Sequence, residues 1–345
     1  MAGVRYDNPV GLIVGAAILQ VLAALSVGLR FYTRRWKQQK IIISDWLVTV
    51  AFIFGLGLTA LEFYAIATHA LAYPAGASIE DPKSVTDRVN RAKYVEFAFL
   101  ILGIVGLGFL KLSVCFLYWN LFAKLMFRRF LIFWTIIIIL WTVTFSIIHF
   151  AECGDHLLAL FATTEDYTKY CKISIHSGWA YVGTDIFTDV VTLIIPIPVI
   201  LRLNMPRHLK VLSLLVFSIG TLSVGASTVK AYIYISATLN RYTEDAILIL
   251  TGFSIWNLAE IQIGIIAACG PVLRAIAIKL VPTESISSLL NSWRVRSKQS
   301  SQPASDLGKN SGSDERLQKG NRSDGEAERN SNRSYELEQR NTANV

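Results

Sequence analysis

Two acidic residues lie in a stretch of sequence that is otherwise apolar enough to enter a lipid bilayer. Asp185 and Asp189 are one helical turn apart in TDIFTDVVTLIIPIPVILRL, which covers residues 184–203. On a helix, this spacing places both side chains on one face. A charged side chain at the bilayer centre costs about 3 kcal/mol on insertion scales, so such residues usually face the protein interior and have a function. The chemistry open to them is pairing with a buried cation, binding of a ligand, or transfer of a proton.

Further charged residues fall inside other apolar segments of the chain. Lys230 is the expected partner of Asp185 or Asp189, because pairing avoids most of the cost of burying a charge. Lys111 lies in the inner half of its segment and is expected to stand apart. The candidates are expected to face one outward-opening cavity, either a ligand pocket or a structural polar network: Glu62, Glu96, Asp185, Asp189, Lys230, Trp256 and Glu260.

The segments that carry these residues have the length and composition of membrane-spanning helices. Of the 345 residues, 53% are hydrophobic and 17% are charged, against roughly a quarter charged in soluble domains. The apolar residues come in blocks of about 20, as a spanning helix requires, and do not alternate with polar residues as in a β-barrel. Seven spans are predicted, at residues 9–32, 45–69, 92–122, 130–150, 177–201, 211–236 and 246–275. The predicted fold is an all-α bundle of seven transmembrane helices.

The distribution of basic residues predicts how the bundle is oriented. Lysine and arginine are concentrated after spans one, three, five and seven, whereas the other connections mix both signs. By the positive-inside rule, the N-terminus at residues 1–8 lies outside and the C-terminal end lies in the cytosol. This pattern accounts for the net charge of +8 without a nucleic-acid partner. We expect the plasma membrane, with an endomembrane as the alternative.

The chain changes character after the predicted membrane domain at residues 9–280. Ile286, Leu289, Leu290 and Trp293 recur at helical spacing, which predicts an amphipathic helix on the inner membrane surface at residues 281–298. Residues 299–345 contain almost no apolar side chains. Such a segment cannot bury enough surface to fold, so a disordered cytosolic tail is predicted.

The cysteines and histidines favour a disulfide over a metal site. Cys153 and Cys171 share the outer loop between spans four and five, where an oxidising environment favours a disulfide. Four of the five histidines are expected near the outer face, but they lack the paired spacing typical of zinc sites. Residues 246–277 contain no lysine, so a covalently bound retinal is not expected. Neither a metal nor another cofactor is predicted.

Several motifs are more specific than the composition. They are SDWL at 44–47, KLSVCFLYWNLF at 111–122, TDVVTLIIPIPVILRL at 188–203 and WNLAEIQIGIIAACGPVLRAI at 256–276. With the two outer-loop cysteines, they resemble the fungal rhodopsin-domain family of seven-helix integral membrane proteins, a receptor-like group that includes satratoxin-cluster-type proteins. The chain departs from the family pattern at Ser44, where an acid is usual, and at Lys230, where arginine is usual. Motif residues nearer the cytosol form a candidate cytosolic motif: Asp45, Trp46, Lys111, Tyr118 and Arg274.

The resemblance implies a receptor-like protein with neither enzyme activity nor retinal. We therefore expect a multi-pass membrane protein that senses a small molecule or serves a secondary-metabolite pathway, with a possible cytosolic signalling partner. A proton-coupled transporter is the first alternative, with Asp185, Asp189, Lys230 and Glu260 as the relay. The second alternative is a zinc-dependent membrane hydrolase that uses the outer histidines: His69, His149, His156 and His176.

Overall fold

Seven α-helices form the part of the chain that the computed structural model describes, namely residues 6, 8–73, 82–121, 125–151, 174–198, 207–239 and 246–280. In chain order they are α1 (Pro9–Trp36), α2 (Ile43–Ala67), α3 (Pro82–Leu121), α4 (Leu125–Ala151), α5 (Ser174–Ile194), α6 (Arg207–Leu239) and α7 (Ala246–Leu280). Each predicted span corresponds to one helix, and the described residues contain no β-strand. The prediction of an all-α, seven-helix bundle is confirmed.

The helices belong to one compact unit, Met1–Ser287. The second unit, Ser288–Val345, lies outside the described residues, as does the whole of the predicted surface helix and tail.

Helix α5 differs from the other six, which are all long and apolar enough to cross a membrane by length and composition. Its polar residues Asp185, Thr188, Asp189 and Thr192 recur at i, i+3, i+4 and i+7. This spacing gathers them into one stripe along the helix. The regular helix ends at Ile194, earlier than the predicted span, because prolines at residues 196 and 198 lack the amide donors that a continuing helix needs.

Helices α3 and α7 lie at the centre of the bundle. Their most apolar stretches are 56% and 61% buried, against 17% in α1 and 22% in α4. Helix α7 packs against α6, α1, α3 and α2, and α3 also packs against α4. Gly103 permits a close approach of the two central helices, since a Cβ atom there would overlap the side-chain amide of Asn257. Polar residues on α3 and α7 are therefore the ones best shielded from lipid.

The chain folds back over the bundle where α2 ends, and we call this end the outer end, following the predicted orientation. His69 and Ala72 have φ values of 57° and 67°, in the left-handed region that costs a non-glycine residue about 1–2 kcal/mol. Hydrogen bonds hold this turn in place. Arg88 of α3 donates to the carbonyl oxygen of His69 at 3.0 Å, and the amide of Ala72 donates to Thr251 Oγ1 of α7 at 2.9 Å.

Candidate functional site

Five charged side chains from four helices meet inside the bundle, and we call this group the charge cluster. Lys111 comes from α3, Asp185 and Asp189 from α5, Lys230 from α6, and Glu260 from α7. Lys230 Nζ lies 2.5 Å from both Asp185 Oδ2 and Glu260 Oε2. These three side chains are fully buried, so solvent and salt do little to screen their attraction. The pairing of Lys230 with Asp185 that the sequence predicted is present.

Lys111 is the second cation of the charge cluster, although the sequence analysis placed it apart and within a cytosolic motif. Its Nζ lies 2.7 Å from Asp185 Oδ1 and 3.0 Å from Asp189 Oδ1, and it donates to Thr188 Oγ1 at 2.7 Å. That expectation was wrong because it compared only the depths of Cα atoms. A helical side chain leans toward the N-terminus of its own helix. The long stem of Lys111 therefore carries its ammonium group outward to the level of the aspartates.

Asp185 is the centre of the charge cluster, because each of its carboxylate oxygens accepts from a different lysine. Asp189 is less enclosed, with 13% of its side chain exposed. Its Oδ2 accepts a hydrogen bond from Ser227 of α6 at 2.6 Å. Removing one partner from a buried pair of this kind typically costs about 3–5 kcal/mol. The charge cluster thus holds α3, α5, α6 and α7 in one arrangement.

Two aromatic rings that the sequence analysis did not single out face the lysines of the charge cluster. Lys111 Nζ lies 4.6 Å from the centroid of Trp141, and Lys230 Nζ lies 5.3 Å from that of Tyr181. Both distances are within the range of a cation–π interaction. Trp141 also donates from Nε1 to Thr184 Oγ1 at 2.9 Å, which joins α4 to α5. Aromatic residues inside a membrane span are usually core residues, so the sequence carried no specific signal for this contact.

The charge cluster contains three acids but only two cations, which leaves one negative charge uncompensated when all five groups are ionised. Asp185 has a lysine at each oxygen. Glu260 has Lys230 at one oxygen, while its buried Oε1 has no hydrogen-bond partner in the described part of the chain. A proton on Glu260 Oε1 would remove the surplus charge without disturbing either pair made by Asp185. The arrangement can therefore hold one proton.

The same acids are the group of three potential metal ligands that the described residues bring together. Their oxygens lie within 4.8 Å of one another, close enough to hold a metal ion, but Lys111 and Lys230 already supply two positive charges there. The group contains no histidine. His149, one of the four histidines expected at the outer face, stacks on Phe97 with ring centroids 4.9 Å apart, and His156 lies outside the described residues. The zinc-dependent hydrolase remains an untested alternative.

Among the described residues, the outer acids and the charge cluster are not brought together at one open cavity, contrary to our expectation. Glu62 of α2 is fully buried and accepts from Ser254 Oγ of α7 at 3.3 Å. Glu96 of α3 is partly exposed and lines a separate, small recess at the outer end. Trp256 faces the N-terminal segment, where its Nε1 donates to Tyr6 Oη at 2.9 Å. The physical reason is that the lysines of the charge cluster neutralise its acids at contact distance, which encloses that group in the bundle.

Comparison with known proteins assigns this helix bundle to a family. The model of the fungal rhodopsin domain matches residues 29–279. The chain belongs to the fungal rhodopsin domain family. It is 26% identical over 290 residues to the polyenoic acids biosynthesis gene cluster protein Ba17b of Metarhizium anisopliae, covering 77% of this chain and 74% of that protein. It is 25% identical over 272 residues to Receptor GIN3 of Arthrobotrys oligospora, covering 77% of this chain and 62% of that protein, which is less than two thirds of its length. No solved structure matches.

A second polar group involves the SDWL motif, one of those on which the likeness to the fungal rhodopsin domain family was based. We call it the inner network, and it comprises Arg30, Ser44, Asp45, Ser113 and the carbonyl of Ala268. Arg30 of α1 pairs with Asp45 of α2 at 2.8 Å and donates to Ser44 Oγ and to Ala268 O of α7, each at 2.8 Å. Ser44 Oγ in turn donates to Ser113 O of α3 at 2.8 Å. The serine that departs from the family pattern thus connects α2 with α3.

The remaining residues of the predicted cytosolic motif have different surroundings. Trp46 is 62% exposed, a position suited to contact with lipid at the membrane interface. Tyr118 packs against the apolar side chains around Cys115. Arg274 belongs to α7, but its side chain is not among those described. The sequence analysis missed Arg30, whose signal was a lone arginine inside the first apolar span.

The cysteines divide into two groups. Cys115 and Cys269 are free and buried, as small apolar core residues often are. Cys153 and Cys171 lie outside the described residues, so their disulfide stays a prediction.

Proposed function

We propose that this member of the fungal rhodopsin domain family is a receptor-like, non-enzymatic protein that senses a small molecule at its outer end. The observation that carries the proposal is the set of contacts made along α7. Ser254 of its outer part lines the recess, Glu260 of its middle belongs to the charge cluster, and Ala268 of its inner part accepts from Arg30. A displacement of α7 would therefore change the contacts at the recess, in the charge cluster and between Ala268 and Arg30.

A proline near the inner end gives α7 a point at which it can bend. Pro271 lies inside the helix, where it lacks an amide donor and crowds the carbonyl groups of the preceding turn. Ala268 belongs to that turn, and its carbonyl accepts from the guanidinium of Arg30 at 2.8 Å. Sharp bends in helices occur mostly at such prolines. The contact with Arg30 is thus one that a bend in α7 would change.

The relatives support the same class of function. One is named a receptor and another a biosynthesis gene cluster protein, in keeping with either the sensing of a small molecule or a role in a secondary-metabolite pathway. The partners that we propose are the lipid bilayer, a small-molecule ligand at the outer end and a signalling protein on the cytosolic side, with no nucleic acid. We propose the plasma membrane as the location.

Hydrogen exchange tests the proposal on the intact protein in lipid nanodiscs. Lipophilic metabolite fractions are passed over the protein, and bound compounds are identified by mass spectrometry. We expect a bound compound to slow amide exchange at residues 68–73, beside the recess, and to change it at residues 37–42, between α1 and α2. The variant Ser254→Phe, which fills the recess, should lose both effects. A bound compound that protects the outer segment without any change at the inner end would contradict the receptor mechanism.

The three-to-two ratio of acids to cations in the charge cluster favours proton-coupled transport as a second candidate function. Such a transporter would release and take up a proton at Glu260 as it changes conformation. In proteoliposomes it would drive solute uptake when a pH gradient is imposed, and Glu260→Gln would abolish this uptake. Receptor function predicts no such flux.

A further inference from the structure

The connection between α1 and α2 lies at the inner end of the bundle, and we call it the inner turn. It consists of residues 37–42. Three of its amides donate to carbonyl oxygens in the last turn of α1, at 2.9 to 3.0 Å. Its other end is bound to α2, because the amide of Ile42 donates to Asp45 Oδ2 at 3.0 Å. Since the inner turn is short and bound back to both helices, it stays near the level at which they leave the bilayer.

The inner turn and the adjoining end of α1 carry exposed basic residues. Arg35, Lys37 and Lys40 are exposed, and none of them forms an ion pair with a residue that the structure describes. The one acid between residues 30 and 46 is Asp45. It is fully buried and already pairs with two arginines of α1. The three exposed cations can therefore bind an anion from outside the protein.

Exposed apolar side chains flank these cations. They are Trp36 at the end of α1, Ile41 in the inner turn, and Ile43 and Trp46 in α2. Tryptophan is enriched at the level of the lipid headgroups, so the two tryptophans indicate that the inner turn lies at the depth of the lipid phosphates. An acidic protein segment would match the cations but not the apolar side chains. A molecule with an anionic end and an apolar body matches both.

We propose that the inner turn binds an anionic phospholipid of the inner leaflet. Its phosphate group lies beside Arg35, Lys37 and Lys40, and its acyl chains lie against the exposed apolar side chains of α1 and α2. Hydrogen bonds from lysine or arginine to phosphate are charge-assisted and stronger than those between neutral groups. The positive-inside rule concerns how a chain is oriented in the membrane, whereas a bound lipid requires that the folded protein select a charged headgroup. Such binding goes beyond the proposed function and needs no ligand at the outer end.

Two phospholipids with identical acyl chains test for this selection. Phosphatidylserine and phosphatidylcholine are titrated onto the full-length protein in detergent micelles, and native mass spectrometry measures the bound fraction of each. We expect phosphatidylserine to bind about tenfold more tightly, the ratio that one charge-assisted hydrogen bond gives. The triple variant Arg35→Gln, Lys37→Gln, Lys40→Gln should reduce this ratio to about one. The variant Arg35→Lys, Lys37→Arg, Lys40→Arg keeps the three charges and should retain most of the selectivity.

Single variants provide the matched control and remain informative if the triple variant does not fold. Arg129 is an exposed basic residue near the start of α4, on the same side of the membrane in the predicted orientation. Lys37→Gln should lower the preference for phosphatidylserine, whereas Arg129→Gln should leave it unchanged. Size-exclusion chromatography and thermal unfolding establish that each variant folds.

Hydrogen exchange in nanodiscs provides a readout at the inner turn itself. Without any ligand at the outer end, amide exchange at residues 37–42 should be slower in phosphatidylcholine that contains phosphatidylserine than in phosphatidylcholine alone. The triple glutamine variant should show no such difference.

Three results would overturn the inference. Equal affinity for the two lipids would show that the inner turn does not select an anionic headgroup and would leave an acidic protein segment as the partner of its cations. Equal losses in Lys37→Gln and Arg129→Gln would show a general attraction of the basic inner end for anions. Competition by glycerophosphoserine, which lacks acyl chains, at the concentration of the lipid would assign the site to a soluble phosphate compound. The experiment with metabolite fractions would still decide the receptor function in each case.

Discussion

The charge cluster and the inner network each join four helices through buried ion pairs, but they are built from different cations. In the inner network, Arg30 directs its planar guanidinium to Asp45, Ser44 and Ala268, all at 2.8 Å. In the charge cluster, Lys111 and Lys230 act as compact charges that share the acids around them. A guanidinium binds in a fixed geometry, whereas an ammonium group can exchange acceptors with little loss. The comparison indicates a directional set of contacts in the inner network and a shared set of contacts in the charge cluster.

The two groups also differ in the sign of their surplus charge. The inner network and its neighbour Arg34 combine two cations with one acid, and Arg34, with 13% of its side chain exposed, can reach water. The charge cluster has a surplus acid, and Glu260 is fully buried. An enclosed surplus charge is costly unless a proton neutralises it. Only the charge cluster therefore combines lysines that share their acceptors with a surplus acid that a proton can neutralise.

The largest effect should follow from removing a lysine of the charge cluster. Lys230→Met leaves Asp185 and Glu260 buried without their shared cation, so we expect the free energy of unfolding to fall by about 3–5 kcal/mol. Reversible unfolding in mixed micelles measures the change. The triple variant Lys230→Met, Asp185→Asn, Glu260→Gln should recover most of the loss, because it also removes the two acids that Lys230 contacts. A triple variant no more stable than Lys230→Met would contradict the pairing.

A smaller loss in the free energy of unfolding is expected when Arg30 is replaced by a residue that keeps its positive charge but lacks the planar guanidinium group. Arg30→Lys retains one positive charge near Asp45 but cannot reach three acceptors at once, so we expect a loss of about 2–3 kcal/mol. Asp45 keeps Arg34 at 3.2 Å and the amide of Ile42 at 3.0 Å, which limits the damage. Arg34→Lys serves as the matched control and should cost less than about 1 kcal/mol. If Arg30→Lys and Arg34→Lys lowered the free energy of unfolding equally, the guanidinium group of Arg30 would not have the role described for it, which is to bind three acceptors at once.

The site residues that could be predicted are those that can be recognised from a single segment of the sequence. Charges within apolar spans stand out, so Asp185, Lys230 and Glu260 were identified, and the cost of burying a charge predicted that Lys230 would pair with Asp185 or Asp189. The pairing of Lys230 with Glu260 was not predicted. Lys111 was misplaced because its partners depend on the direction of a long side chain. Arg30 was overlooked because it lies near the basic residues that flank the end of the first span, where a charge is unremarkable.

The fold was predictable to a greater degree than the contacts between its helices. Apolar blocks define seven helices, since each must satisfy its own backbone groups in the bilayer. The contact between Tyr6 and Trp256 is an example that could not be predicted from the sequence. Their hydrogen bond at 2.9 Å joins residues separated by 250 positions, and no local pattern specifies which helix neighbours which.

A near-neutral effect is expected from Glu260→Gln. The amide has almost the shape of a protonated glutamic acid, and Lys230 keeps Asp185 as its partner at 2.5 Å. We therefore expect the free energy of unfolding to change by less than about 1 kcal/mol. Asp185→Asn is the matched comparison and should cost several times more, because Asp185 pairs with both lysines. A loss from Glu260→Gln as large as that from Asp185→Asn would show that Glu260 is an ionised and essential partner of Lys230.

The smallest predicted effect is an interaction energy between the two groups. Variants at distant sites without shared contacts usually add within about 0.3–0.5 kcal/mol. Glu260 and the carbonyl of Ala268 lie two turns apart on α7, and Arg30 binds that carbonyl. If α7 transmits movement between the groups, the double variant Glu260→Gln, Arg30→Lys should depart from additivity by about 0.5–1 kcal/mol. Arg30→Lys combined with Thr142→Val on α4 is the control. It should be additive, because α4 packs mainly against α3 and α5, whereas the hydrogen bonds of Arg30 go to residues of α2 and α7. Strict additivity in both pairs would leave α7 as a common scaffold that carries no coupling, and the proposed route from the outer recess to the inner network would fail with it.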